Sequence, residues 1–89
     1  MINIDDILYI LKDSGERRVI IKTDYCEFKI NKTLLEVKKL LTDNFVQTHR
    51  ACFINKNRFV SYNRPNKIIT FDNGETLDFV SNKYERVLM

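Results

Sequence analysis

The sequence has little glycine, proline or cysteine, and each shortage excludes a class of protein. Two glycines and one proline in 89 residues are too few for a flexible linker or a disordered segment. Two cysteines, Cys26 and Cys52, are too few and too scattered for a disulfide framework or a zinc site. Both lie in runs where apolar residues alternate with polar ones, so we expect buried, reduced thiols in a cytoplasmic protein.

Long apolar runs are also missing. The run Ile7–Leu11 is far shorter than the ~20 residues that a membrane span needs. The N-terminus lacks the basic start and apolar region of a signal peptide, so no membrane partner is expected. What is present, 89 residues of which 44% are hydrophobic, is enough for one domain with a thin core.

The charge balance is only mildly basic, but its distribution is informative. Fifteen Lys and Arg against twelve Asp and Glu leave a net charge of +3, which alone is weak evidence for a nucleic-acid partner. Several basic side chains stand in or beside predicted turns, where they can project from the fold. They are Arg17, Arg18, His49, Arg50, Lys56 and Arg58.

Three strands are predicted before residue 31. Ile7–Leu11 is a continuous apolar run of the length of a buried strand. After a polar turn that contains Gly15, residues 17–23 are rich in β-branched side chains and predict the second strand of a hairpin. From Tyr25 to Ile30 polar and apolar residues alternate, which is the period of a half-buried antiparallel strand.

A short helix is predicted next. Thr33 and Glu36 fit a capping box, in which the hydroxyl takes one free backbone N–H and the carboxylate takes another. Leu34, Val37 and Leu41 recur at helical spacing. We therefore expect a helix of about two to three turns over residues 33–41, packed on the sheet.

Two polar turns interrupt the central stretch Asn44–Tyr62, whose other residues favour strands. The first turn, Thr48-His49-Arg50, is expected as an exposed corner, and the second is Asn55-Lys56-Asn57-Arg58. Asn55 ends an apolar strand, where an amide can bond backbone on both sides of a strained turn. We interpret Asn55 as a structural turn residue.

The last third of the chain predicts a hairpin and a terminal helix. Residues 67–71 and 76–80 flank Asp72-Asn73-Gly74-Glu75, and Asn-Gly there favours a type I′ turn with two positive φ angles. Ser81 is expected to cap a short helix over the following residues to Leu88. The predicted fold class is therefore mainly β and antiparallel, with one short helix after the third strand and a short C-terminal helix.

The chemistry of arginine indicates which turn residues could contact DNA bases. The planar donor fork of Arg matches the O6/N7 edge of guanine, so Arg17 and Arg50 are candidates for base contact, with ordinary surface charge as the alternative. His49 could donate to DNA, orient Arg50, or bond its own turn backbone. The candidates for phosphate contact are Lys12, Arg18, Lys56, Arg58 and Lys83.

Two rival classes need weighing. An enzyme is disfavoured, because the sequence has no paired carboxylates, phosphate-binding glycine loop or metal-ligand spacing. Cys52 and His49 lie three residues apart in a strand-like run, so their side chains should point to opposite faces instead of forming a thiol–imidazole pair. A small protein-interaction module that binds through a sheet edge is the stronger alternative.

Three blocks in order resemble the LytTR family of bacterial DNA-binding domains, the output domains of many response regulators. They are the early strand Ile7–Leu11, the signature Phe45, His49-Arg50, Cys52–Ile54 and Asn55, and the closing hairpin with Ser81, Tyr84 and Leu88. The resemblance implies an elongated set of small β-sheets. It also implies a transcriptional regulator that binds duplex DNA through loops in successive major grooves.

Carried over by position, the resemblance implies three loops that face DNA. The first reaches Arg17-Arg18, the second is His49-Arg50, and the third begins at Ser81-Asn82-Lys83. The family often has an Arg in the third loop, where this chain has Ser81 as a turn residue, Asn82 for base contact and Lys83 for phosphate contact. Paired direct-repeat sites and a homodimer on DNA are further expectations, and no cofactor or metal is implied.

The chain departs from the family pattern in two ways. It has no phosphoacceptor receiver domain, and it starts too late to contain all of the strand that usually precedes Ile2. We expect residues 1–89 to be one LytTR-like domain, either excised from a longer regulator, which we favour, or a short stand-alone member. The sequence does not give the DNA site or the activating signal.

Overall fold

The structure, a computed structural model, describes residues 3–15 and 17–89, and within them the chain forms two antiparallel sheets. The strands are β1 (Ile7–Lys12), β2 (Val19–Thr23), β3 (Glu27–Ile30), β4 (Phe45–His49), β5 (Cys52–Asn55), β6 (Phe59–Asn63), β7 (Ile68–Phe71) and β8 (Thr76–Leu77). One sheet has the order β3-β2-β1-β5-β4 and the other β6-β7-β8. The predicted mainly-β, antiparallel class is confirmed.

Helical structure is sparse. The α-helix α1 covers Leu34–Lys38, and single 3-10 turns cover Ile4–Asp6, Lys56–Arg58 and Glu85–Leu88. The capping box is confirmed, because the Thr33 hydroxyl accepts the Glu36 N–H at 3.2 Å and the Glu36 carboxylate accepts the Thr33 N–H at 3.0 Å. The helix is shorter than the predicted residues 33–41, and no helix of the described residues is long and apolar enough to cross a membrane.

The central position of β1 explains its unbroken apolar sequence. It lies between β2 and β5 in the larger sheet, and both faces of that sheet are covered. On one face Leu8 packs with Ile54, Ile69 and Phe71 between the two sheets. On the other face Ile10 belongs to a second cluster that α1 closes with Val37. A strand buried on both sides needs apolar residues at consecutive positions.

The two cysteines have different environments. Cys52 in β5 is fully buried, as predicted, and burial raises the pKa of its thiol to about 12. Cys26 is exposed, so the prediction of a buried thiol is wrong for this residue. Cys26 lies in the turn before β3, and β3 is an edge strand with little packed against it, as 37% exposure of Phe28 shows. The alternating sequence predicts a half-buried strand, but β3 begins only at Glu27 and, as an edge strand, is mostly exposed.

The closing hairpin forms, with different details from those predicted. Ile69 pairs with Leu77 and Thr70 with Thr76, but β8 ends at Leu77 instead of Val80. Gly74 has φ +90°, whereas Lys67 has the only positive φ among the described non-glycine residues, so the turn is not type I′. Asn73 instead uses its side chain, which accepts the Glu75 N–H at 2.9 Å.

The C-terminal helix is a single 3-10 turn that begins after Tyr84, so Ser81 is not its cap. Ser81 lies three residues earlier, where its carbonyl accepts the Tyr84 N–H at 3.0 Å. Its own N–H donates to the Thr48 carbonyl at 2.9 Å, so the segment after β8 is held against β4. Contact with β4 therefore sets the path of this segment.

Strand register decides which turns are neighbours. In β1 the residues Leu11 and Lys12 pair with Ile20 and Val19 on one side, and Leu11 pairs with Cys52 on the other. The Lys12 N–H donates to the Ala51 carbonyl at 2.9 Å. The turn between β1 and β2 and the turn between β4 and β5 therefore lie side by side at one end of the sheet.

Candidate nucleic-acid interface

The two neighbouring turns and α1 enclose a groove of about 790 Å³, which we call the basic groove. Five cations line it, and they come from three separate parts of the chain: Lys12, Arg17, Arg18, Lys38 and Arg50. Its other lining residues are Gly15, Thr33, Leu34, Leu35, Gln47 and Phe53, so no carboxylate is among the described lining residues. This concentration of positive charge is local, because the net charge of the chain is only +3.

The side chains at the mouth of the basic groove are held to different degrees. The Arg18 Nε donates to Asp13 at 2.9 Å, which ties this cation to its own turn. Arg17 and Arg50 are exposed on their turns. The Lys38 ammonium lies 5.5 Å from the centre of the Phe53 ring, where the ring face attracts a cation. The groove therefore combines anchored cations with arginines that extend toward solvent.

His49 shapes the turn that carries Arg50. Its Nδ1 accepts the Ala51 N–H at 3.0 Å, which is the backbone contact that sequence reasoning left open. Because Nδ1 accepts, the proton of the neutral ring is assigned to Nε2, which is then a donor. The ring also meets Phe79 edge to face, with centroids 5.4 Å apart. The imidazole is thus fixed from both sides before any partner arrives.

The loop at residues 81–83 lies beside the same turn. The buried Thr48 donates its hydroxyl to the Phe79 carbonyl at 2.7 Å, which brings the chain after β8 against β4. The Asn82 side-chain oxygen accepts from the Lys67 ammonium, and Lys83 is exposed beside the Tyr84 ring. Thr48 itself is 0% exposed, so only part of the predicted exposed corner faces solvent.

Comparison with known proteins identifies this arrangement. The family model of the LytTr DNA-binding domain matches residues 1–89, the full sequence. The chain belongs to the LytTR family. A solved LytTr DNA-binding domain of a putative methyl-accepting/DNA response regulator from Bacillus cereus has the same fold, with a TM-score of 0.81 at 20% identity. The alignment covers 97% of this chain and 80% of that one. No curated protein matches the sequence.

Membership has direct consequences for function class. LytTR is a family of DNA-binding domains and not of enzymes. The described residues also contain no cluster of His, Cys, Asp or Glu that could hold a metal ion. The resemblance drawn from three sequence blocks is confirmed, as is the fold that it implied.

Sequence reasoning missed a buried carboxylate beneath the 81–83 loop. Glu85 of this LytTR domain is 8% exposed and accepts from the Tyr62 hydroxyl and, at 3.3 Å, from the Lys67 ammonium. The hydrogen bond from Tyr62 lowers the pKa of Glu85, while burial raises the pKa of Tyr62 to about 12. Since Lys67 also binds Asn82, the network positions the loop. Its only sequence signal was an acidic residue in the terminal turn, close to the apolar Val87 and Leu88.

Lys56 and Arg58 lie away from the basic groove. They follow β5, whose end is placed beside the start of β1 by a hydrogen bond from the Asn55 amide to the Ile7 carbonyl at 3.0 Å. Asn55, 3% exposed, also accepts the Asn57 N–H at 3.0 Å. The Lys56 ammonium donates to the Val87 carbonyl. The structure thus brings Lys12, Arg17, Arg18 and Arg50 together, and separates Lys56 and Arg58 from them.

Arg58 is engaged inside the molecule. Its guanidinium bonds Asp24 at 2.7 Å and 3.0 Å, Asp72 at 2.7 to 2.9 Å, and the Asp5 carbonyl at 3.0 Å. Only 16% of its side chain is exposed. These partners raise the pKa of Arg58 and lower the pKa of both carboxylates. Arg58 therefore joins the turn after β2 to the turn after β7.

Proposed function

We propose that this LytTR domain reads specific duplex DNA with the end of the molecule that carries the basic groove and the 81–83 loop. The observation that carries the proposal is the convergence of Lys12, Arg17, Arg18 and Arg50 on one groove, whose described lining residues include no carboxylate. Two turns distant in sequence supply these cations, and strand register alone brings them together. Such a local patch attracts phosphates although the whole chain is only mildly basic.

We assign different tasks to the residues of this surface. Arg17 and Arg50 are exposed and carry the donor fork that fits the guanine edge, so they contact bases. His49 offers its Nε2 proton beside Arg50, with its ring held by Ala51 and Phe79. Lys12 and Arg18 contact phosphates that fix the register of the domain on the duplex.

The 81–83 loop supplies the remaining contacts. Asn82 is held by Lys67 and can present its amide group to a base, while the exposed Lys83 contacts phosphate. Ser81 orients the loop through its backbone bond to Thr48. The longest dimension of the domain is 34 Å, close to the roughly 34–36 Å of one helical turn of DNA. One domain therefore reaches two adjacent major grooves at most.

This arrangement changes one sequence-based expectation. The resemblance implies loops in successive major grooves, with Arg17 in the first loop and Arg50 in the second, but both side chains line the same basic groove. We infer that they act in one major groove and that Asn82, whose loop lies beside the turn of Arg50, contacts the duplex next to them. Lys56 and Arg58 are left out of the contact surface, since neither lines the basic groove and both donate to groups of their own chain. Paired direct repeats would then bind two copies of the domain, one for each repeat.

Selection from random duplexes, followed by anisotropy titration, tests the proposal. We expect the purified chain to enrich a sequence motif and to bind it more tightly than a scrambled duplex of the same length. A discrimination of roughly 10³ or more is typical of specific DNA-binding proteins. Equal affinity for the enriched and scrambled duplexes would contradict specific reading, and no affinity for either would favour a protein-interaction module.

A further inference from the structure

The basic groove has an apolar floor that phosphate recognition does not require. Phe53 is 4% exposed at the base of the groove, and Leu34 beside it is half-buried. Leu35 in α1 also lines the groove although 67% of it is exposed to solvent. Cations and hydrogen-bond donors are sufficient to hold a DNA backbone. An exposed leucine within a ring of cations therefore points to a second kind of ligand.

The dimensions and chemistry of the groove suit a small molecule. Its volume of about 790 Å³ falls within the roughly 300–1,000 Å³ that is usual for small-molecule sites. Such sites are lined mostly by apolar groups, with a few placed charges that orient the ligand. Here Phe53 and Leu35 provide apolar surface, and Lys38 in α1 and Arg50 in the turn between β4 and β5 provide positive charge.

We infer that the basic groove binds a small amphiphilic carboxylate, with its aryl or acyl body on Phe53 and Leu35 and its carboxylate facing Lys38 and Arg50. Charge complementarity decides for an anion, because five cations and no carboxylate are among the described lining residues. The apolar floor favours an amphiphile over inorganic phosphate, because only the amphiphile has an apolar part that can pack on it. Binding itself is independent of the proposed function. Competition with DNA rests on the proposed function, since Arg50 serves both partners.

Titration followed by ¹⁵N–¹H NMR tests the site with three probes. Decanoate below its micelle concentration carries both chain and charge, decanol lacks the charge, and acetate lacks the chain. We expect saturable binding of decanoate, with shifts at α1 and around Phe53, and affinities on the order of tenfold lower for the other two probes. Equal binding of decanoate and decanol, absence of saturation, or shifts on another surface would each overturn the inference.

Exposed positions on and beside α1 offer matched variants. Leu35→Ser should weaken decanoate binding on the order of tenfold, since it removes apolar contact from the groove. Leu40→Ser changes a leucine that is 65% exposed but does not line the groove, and it should leave binding unchanged. Lys38→Gln should weaken binding several-fold, with Lys39→Gln as its control. Equal effects of Leu35→Ser and Leu40→Ser would contradict the assignment.

The regulatory consequence is tested separately. Saturating decanoate should lower the affinity of the parent chain for its enriched duplex and should have a much smaller effect on Leu35→Ser, which retains the DNA contacts. Unchanged DNA affinity in saturating decanoate would overturn the competition. If the chain failed to bind DNA at all, the proposed function would be wrong, while the decanoate titration without DNA would still decide on the ligand site.

Discussion

At the scale of single residues, Thr48 shows how a polar side chain in a turn can be structural. Its hydroxyl donates to the Phe79 carbonyl, 31 residues later in the sequence, while its own carbonyl accepts the Ser81 N–H. The sequence predicted an exposed corner, because Thr beside His and Arg is typical of one. The partner that buries Thr48 comes from the segment after β8, and local sequence carries no sign of that contact.

Replacement of Thr48 by Val tests this contact. The shape is preserved, but the Phe79 carbonyl loses its donor in a buried site, which usually costs about 1–3 kcal/mol of the free energy of unfolding. Urea denaturation should show this loss. Thr48→Ser keeps the hydroxyl and serves as the control for the lost methyl group. If Ser destabilised the domain as much as Val, the hydrogen bond would not be the important part of Thr48.

Arg50 is the residue whose predicted role is most specific. Arg50→Ala should lower the affinity for the enriched duplex by about 1–3 kcal/mol, the usual worth of a bidentate arginine–guanine contact, and should leave scrambled-duplex binding nearly unchanged. Anisotropy titrations with both duplexes measure the two effects. The melting temperature should stay that of the parent, because exposed turn substitutions usually cost within about 0.5 kcal/mol.

Lys56→Gln is the control for Arg50→Ala. It also removes a cation next to a turn, but at the other end of the sheet, so both affinities should remain those of the parent chain. Equal losses of specific and scrambled binding in Arg50→Ala would mean that Arg50 holds phosphate and that specificity lies with Arg17, His49 or Asn82.

At the scale of elements, Arg58 is the main polar link between the turns of the two sheets. It bonds Asp24 after β2 and Asp72 after β7, and Asn73 adds a bond to Asp24 at 2.9 Å. A phosphate contact was predicted for this arginine, because an Asn-rich basic turn is typical of a surface loop. Its carboxylate partners lie 34 and 14 residues away, and only the folded packing of the sheets brings them into reach.

This ion-pair cluster predicts a contribution to acid sensitivity. Hydrogen bonds from Arg58 lower the pKa of Asp24 and Asp72 in the folded state. A lowered pKa adds stability that is present above the ordinary Asp pKa of about 3.9 and is lost as pH falls through the folded value. The free energy of unfolding should therefore decline below about pH 4, and Asp72→Asn should make this decline shallower.

Urea denaturation at a series of pH values measures the acid effect. Asp43→Asn, which removes an exposed carboxylate outside the cluster, is the matched control. An identical pH dependence for the parent and Asp72→Asn would show that the contact between Arg58 and Asp72 does not contribute to stability.

The elements that could be predicted are those specified by neighbours in sequence. The capping box of α1 uses residues three apart. The apolar run of β1 can be recognised in the local sequence, because a strand buried on two faces has apolar residues at consecutive positions. Predictions were wrong where a distant contact decides the outcome. Cys26 is exposed because β3 is an edge strand, and Ser81 is not a cap because β4 holds its backbone.

At the scale of the whole molecule, several residues of the candidate site could be named from the sequence, but their arrangement could not. Residue chemistry and family resemblance selected Arg17, Arg18 and Arg50, which do meet in the basic groove. Their meeting depends on the antiparallel pairing of β1 with β5, and 40 residues or so separate these strands in the sequence. The contribution of Lys38 depends on where α1 packs. Neither feature can be read from local patterns.

The location of charge, more than its amount, should govern DNA binding by the whole molecule. Each phosphate contact contributes about 0.9 to the slope of log affinity against log salt concentration. Two double variants separate location from amount, since each loses two lysines and takes the net charge from +3 to +1. Lys12→Gln with Lys83→Gln removes cations from the proposed contact surface, whereas Lys29→Gln with Lys56→Gln removes cations from elsewhere.

The two variants should differ in salt dependence. The first should flatten the slope by about 1.8, which is two contacts, and should weaken enriched and scrambled duplexes alike. The second should keep the slope of the parent, because Lys29 projects from an edge strand and Lys56 bonds the Val87 carbonyl. Anisotropy titrations over a range of salt concentrations give both slopes. Equal slopes for the two variants would mean that overall charge attracts DNA, and the proposed surface would lose its support.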